Sequence, residues 1–197
     1  SIDAIVRQVP GGAANVQDIY PLAPLQEGIL FHHLMEKQGD LYLLPSVLGF
    51  ASRERLVRFV AALQQVVNRH DILRTGVAWD GVPEPVQVVW RHADLHLQWG
   101  DFDAALGPVA DQLQTRFDPK HYRLDLTQAP LLRCHAARDD AAGRWVLLVL
   151  VHHLAIDHTT LELLVEEAVA IEHGRAAQLP RPAPFRNFVA QARSGVS

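Results

Sequence analysis

The sequence predicts a mixed α/β (α+β) fold, a β-sheet flanked by helices, on three observations. Residues Val146 to Val151 are apolar without alternation, the pattern of a strand buried on both faces and so central in its sheet. Leu131 to Ala137 is a second apolar run, and the stretch Arg138 to Gly143 between the two reads as the turn of an antiparallel pair. Arg53 to Asn68 places Leu56, Phe59, Val60, Leu63 and Val67 on one helical face, with Arg55, Arg58 and Gln65 off it. A strand buried on both faces requires helices on both sides of its sheet.

The remaining elements follow in chain order. Pro24 suits a first helical position, Leu22, Leu25, Ile29 and His32 share a stripe, and Gly39 suits a stop, which predicts a helix from Pro24 to about Lys37. Tyr42 to Phe50 reads as a strand in which Pro45 marks an edge or a bulge, because proline cannot donate to the ladder. After the helix at 53 to 68 come strands at Leu73 to Trp79 and Pro85 to Trp90, with a turn at Asp80-Gly81. A last helix starts at Thr159, where Glu162 can complete a capping box, and ends near His173-Gly174. A proline-rich stretch, 179 to 184, precedes a short amphiphilic segment, Phe185 to Arg193. That ending, with a start at Ser1, predicts a piece cut from a longer chain.

Composition narrows the function classes. At 197 residues the chain can bury one core, and a net charge of -4 with scattered arginines gives no basic footprint for nucleic acid. No apolar run approaches the 18 or so residues of a membrane span, and the expected localisation is cytoplasmic. The single cysteine, Cys134, has no internal bridging partner, which fits a reducing compartment.

The chemistry is concentrated in Val151-His152-His153-Leu154-Ala155-Ile156-Asp157-His158, at the end of the buried strand. Neighbouring strand residues point to opposite faces, so one histidine faces the interior and the other the exit of the sheet. An imidazole is suited to accept a proton from an amine or hydroxyl nucleophile near neutral pH. A metal held by His153, Asp157 and His158 is the competing reading, but a strand end and an irregular loop do not give converging ligand spacing. No Gly-x-Ser-x-Gly elbow or phosphate-binding loop is present, and nothing in its strand marks Cys134 as activated. Proton transfer without a covalent enzyme intermediate is therefore expected.

The string His152-His153-x-x-x-Asp157 resembles the signature of condensation domains of nonribosomal peptide synthetases. Tyr20-Pro21-Leu22-Ala23-Pro24-Leu25-Gln26-Glu27-Gly28 is similar to the family's first motif, Arg69-His70-Asp71-Ile72-Leu73-Arg74-Thr75 to its second, and Phe185-Arg186-Asn187-Phe188 to a further one. His32-His33-Leu34-Met35-Glu36-Lys37-Gln38-Gly39-Asp40 resembles the extra motif of the dual epimerization/condensation subgroup. On a helix His32 and His33 are about 100° apart, so at most one points straight into a site.

The resemblance implies a chloramphenicol-acetyltransferase-like lobe, with residues 1–179 as the N-terminal lobe and 180–197 as the start of a linker to a C-terminal lobe. Donor and acceptor would arrive as thioesters on the 4'-phosphopantetheine arms of peptidyl carrier domains beside an adenylation domain, with no cofactor or metal of the chain's own. His153 is expected to orient the amine and take its proton, with His152 as its neighbour, His158 beside the site, and His32 or His33 aiding epimerization at Cα. Asp157 is expected to hold the loop by a salt bridge to Arg74, and Gly39 and Asp40 to support the site. An isolated lobe is expected to fold but turn over poorly. His158 stands where the family has Gly and Ala23 where a capping Ser is common, the latter removing a cap worth about 1 kcal/mol. The alternatives are a noncatalytic carrier-docking or gating module and, further off, a metal-dependent hydrolase.

Overall fold

The structure, a computed structural model, describes residues 1–156 and 161–195. In chain order the elements are α1 (Ile2–Arg7), β1 (Val16–Pro21), α2 (Pro24–Met35), β2 (Leu43–Phe50), α3 (Arg53–Arg69), β3 (Thr75–Ala78) and β4 (Val86–Trp90). They continue with β5 (Leu97–Gly100), α4 (Val109–Arg116), β6 (Leu132–Asp139), β7 (Arg144–His152), α5 (Leu161–Glu172) and α6 (Phe185–Arg193). The strands form two sheets, a three-stranded one in the order β1-β4-β3 and a four-stranded one in the order β2-β7-β6-β5. β7 runs antiparallel to both neighbours, while β5 joins β6 in parallel.

The apolar run of β7 lies between β2 and β6, with Val146 to Val151 at most 1% exposed. Pro45 sits opposite Leu150 on β2, an edge strand, where its missing N–H costs no ladder bond on the open side. α3 packs on β2 and β7, and α4 on β6 and β7. The predicted α3 face is the buried one, joined by Ala62 and Val66, and each of its Leu, Phe and Val side chains contributes about 1.5–3 kcal/mol of burial. Ser52 caps the helix by accepting from the Arg55 N–H at 3.2 Å.

Several expectations change. β3 and β4 form a separate sheet with β1, which the sequence reading passed over along with α1, β5 and α4, while β2 joins β7 in the larger sheet. The strand expected at Leu73 begins at Thr75, because residues 71–74 form a 3-10 turn closed by the Thr75 hydroxyl donating to the Asp71 carbonyl at 2.7 Å. α2 ends at Met35, and its buried face is Gln26, Ile29, Leu30 and His33, a step around the helix from the expected stripe. Leu25 and His32 are exposed. Polar anchors turn the helix: Gln26 bonds reciprocally with Gln87 (2.8 and 3.3 Å), and His33 reaches Asp40. Gln26 Oε1 also accepts from the Ala23 N–H at 2.9 Å, half of a capping box that Ala23 itself cannot complete. The Thr159 cap of α5 lies outside the described residues. α6 packs back onto the body, its first amide donating to Asp71 (3.3 and 3.4 Å) and Arg193 to the Leu22 carbonyl (3.0 Å). Among the described residues, no helix is long and apolar enough to cross a membrane.

Candidate active site

β7 delivers two histidines to its end, and the strand's alternation separates them. His152 is the last strand residue and fully buried; His153 opens a 3-10 turn, half-buried. Its N–H donates to the Tyr42 carbonyl at 2.8 Å, and its ring meets the Tyr42 ring edge to face at 6.2 Å. His153 lines an apolar cavity of about 330 Å³ with Pro24, Ile29, Ile156, Phe185 and Phe188 among its walls. The first motif, the His153 turn and α6 thus converge on one hollow.

The buried histidine belongs to a second arrangement. Asp40 Oδ2 lies 2.7 Å from His152 Nε2 and 2.6 Å from His33 Nδ1, while Oδ1 accepts from the Tyr42 N–H at 3.0 Å. All three side chains are at most 5% exposed. Burial pushes the Asp40 carboxyl up, but hydrogen bonds from His152 and His33 outweigh it and hold the group well below the usual carboxylate range. Gly39 permits this placement: a Cβ there would collide with the backbone carbonyls of Pro119 and Lys120, against which the Asp40 N–H donates to Pro119 O at 2.7 Å. The tandem Gly39-Asp40 is therefore a close backbone approach followed by a buried anion.

His33, Asp40 and His152 are the group with metal-ligand chemistry among the described residues. Their spacings of 2.6 and 2.7 Å are hydrogen-bond lengths. Tetrahedral ligands about 2.0–2.2 Å from zinc stand farther apart than that, so these atoms as placed share protons instead of a cation.

The two histidines of α2 diverge as the helical angle requires. His33 is buried in the Asp40 network, whereas His32 is exposed, its ring 6.1 Å from that of Tyr42. Tyr42 stands between His32 and His153 and was anticipated only as the start of a strand. Arg123 was missed altogether. It bonds the carbonyls of His33 (2.9 Å), Gly39 (2.8 Å) and Glu36, closing the C-terminal end of α2 from 87 positions away, and touches His33 Nε2 at 3.0 Å. No motif surrounds it, so a sequence signal was lacking.

Arg74 is buried, donating to Gln17 Oε1 (2.7 Å) and the Trp90 carbonyl (2.5 Å), while its Nε has no partner among the described residues. Its expected partner Asp157 lies outside the described residues, as does His158. The neighbouring His70 shares Glu167 on α5 with Arg69, at 3.0 Å from both carboxylate oxygens. Burial pushes the Cys134 thiol up to about 12, so it is no nucleophile at neutral pH.

Comparisons with known proteins agree on the kind of molecule. The family model described as "Condensation domain" matches residues 16–195. The chain is 55% identical over 196 residues to malpinin synthetase of Mortierella alpina, covering 100% of this chain and 2% of that protein. It is 52% identical over 194 residues to malpibaldin synthetase of the same organism, covering 98% of this chain and 4% of that protein. The chain thus spans only a few hundredths of the length of these relatives. In fold it is similar to the first condensation domain of the calcium-dependent antibiotic synthetase, solved with a substrate analogue, at a TM-score of 0.71, 17% identity, 92% of this chain and 46% of that one.

Proposed function

The chain belongs to the condensation-domain family, and from that premise we propose that it forms the His153-bearing lobe of a unit that joins two carrier-bound acyl groups through a peptide bond. The observation that carries the proposal is His153 at the rim of the apolar cavity, with its backbone held by Tyr42 and its neighbour His152 bonded to Asp40. The acceptor amine attacks the donor thioester carbonyl; the C–N bond forms, the C–S bond breaks, and the proton lost by nitrogen passes to His153 and on to the departing thiolate. Orienting amine and carbonyl together accounts for about 7–11 kcal/mol of barrier in well-aligned reactions. Residues 1–179 form the N-terminal lobe and 180–197 begin the connection to a second lobe that closes over His153. Donor and acceptor peptidyl carrier domains supply the 4'-phosphopantetheine arms, and an adenylation domain loads them.

The finer assignment is to the dual epimerization/condensation subgroup, supported by the motif from His32 to Asp40, whose carboxylate meets His152. Before condensation the donor Cα proton, acidified by the thioester, is removed and returned on the other face. His32 is the histidine of α2 with an exposed ring, and Tyr42 stands between it and His153. The role of His33 is then to hold Asp40. Arg74 is the partner we assign to Asp157, a reading supported by its buried guanidinium, whose Nε has no partner among the described residues.

The test is His153→Ala in the complete condensation unit with loaded carriers, read by intact mass and by chiral analysis of the product. Loss of both peptide formation and donor inversion is expected. Unchanged yield and stereochemistry would remove His153 from the reaction.

A further inference from the structure

Arg123 heads a chain of hydrogen bonds that ends beside His153. A guanidinium only donates, so the His33 Nε2 that faces Arg123 Nη2 at 3.0 Å is the acceptor, and the His33 proton resides on Nδ1, which donates to Asp40 Oδ2 at 2.6 Å. From the other end, the Leu154 N–H donates to His152 Nδ1 at 3.1 Å. The His152 proton therefore resides on Nε2, which donates to the same Asp40 oxygen at 2.7 Å. Asp40 Oδ1 accepts from the Tyr42 N–H, and the Tyr42 carbonyl accepts from the His153 N–H. The polarity of every link is imposed from its two ends, an arginine and a backbone amide, neither of which gives up its proton.

His153 is bracketed by this chain. Its own amide is tied to Tyr42, and the next amide, Leu154, is tied to His152. Both ties return to Asp40. Resting on the condensation reading above, we propose that Arg123 is a positioning residue for His153: by donating to His33 Nε2 it keeps His33 donating from Nδ1 to Asp40, opposite to the His152 tautomer that the Leu154 N–H sets, so that Asp40 stays the anion around which the His153 turn is folded. Neither nitrogen of His33 is then free to act on substrate. Through His33 the second His-His motif thus also acts on the reaction by the geometry it imposes on the first.

The test begins with histidine tautomers, which a merely space-filling arginine would not set. In the 197-residue chain labelled with 15N-histidine, long-range 1H–15N correlations at neutral pH are expected to report His33 protonated on Nδ1 and bare on Nε2, and His152 the reverse. Arg123→Lys, which still donates, is expected to keep the His33 pattern, and Arg123→Ala to lose it. In the complete condensation unit, Arg123→Ala is expected to lower kcat by about 10- to 100-fold, the scale of a small misplacement of a reacting group, with KM for the loaded acceptor carrier unchanged. A wild-type His33 carrying its proton on Nε2, or on both nitrogens, would overturn the proposal, and so would an Arg123→Ala variant with both tautomers and kcat intact. If the wild-type tautomers are as expected but His153→Ala turns over normally, the condensation reading fails and the positioning role fails with it, while the hydrogen-bond chain itself survives.

Discussion

Replacing Asp40 by Asn isolates the charge at the centre of the buried network while keeping its shape. Asp40 accepts three N–H donors, from His33, His152 and Tyr42, with two of them on one oxygen. An amide offers one acceptor oxygen and one NH2. If the oxygen faces the imidazoles, the NH2 opposes the Tyr42 N–H; flipped, the NH2 opposes both imidazole N–H groups. The rings cannot escape by changing tautomer, because Arg123 and the Leu154 N–H hold their far nitrogens as acceptors. At least one buried donor is left unpaired, at about 1–3 kcal/mol, and the charge assistance of the remaining bonds is lost at about 1 kcal/mol each. With the oxygen on the imidazoles the sum is about 3–5 kcal/mol, or a fall in Tm of about 6–20 °C for a chain of this size. Circular dichroism melts and urea titrations at pH 7.5 measure it. A D40N variant melting within about 1 °C of the parent would refute the assignment of Asp40 as the acceptor of these donors.

Two further outcomes follow from the same region. Because the folded Asp40 carboxyl is held below its unfolded value near 3.9, its stabilisation is fully present above about pH 5 and is lost as pH falls below the unfolded value toward the depressed folded one; the parent should therefore lose more stability than D40N between pH 5 and pH 2 in urea titrations, and equal losses would contradict the depressed carboxyl. Gly39→Ala pushes a methyl into the Pro119 and Lys120 backbone carbonyls, which cannot swing aside as a side chain would, and should cost about 1–3 kcal/mol; a melt unchanged from the parent would mean that the 118–121 turn yields freely.

Legibility in the sequence tracked how local each signal is. The unalternating apolar run of β7, its turn to β6, the amphipathic stripe of α3 and the edge position marked by Pro45 depend on side-chain order within a few residues. β5 escaped notice because its four residues leave Gln98 and Trp99 exposed and its parallel pairing with β6 is made by a distant segment. α2 was legible as a helix but not in its rotation, because polar anchors at Gln26 and His33 outvoted the apolar Leu25.

The chemistry divides in the same way. The sequence by itself determined that two histidines stand at the end of a central strand and that a strand's alternation sends them to different surroundings, since both facts are properties of adjacent residues. Tertiary structure alone decided that Asp40 meets His152 across 112 positions, that Arg123 closes the network and that Tyr42 separates His32 from His153. Hydrophobic periodicity is repeated along the chain and can be read from any stretch of it. A hydrogen-bond network is written once, between particular atoms, and exists only where folding brings donors and acceptors within about 3 Å.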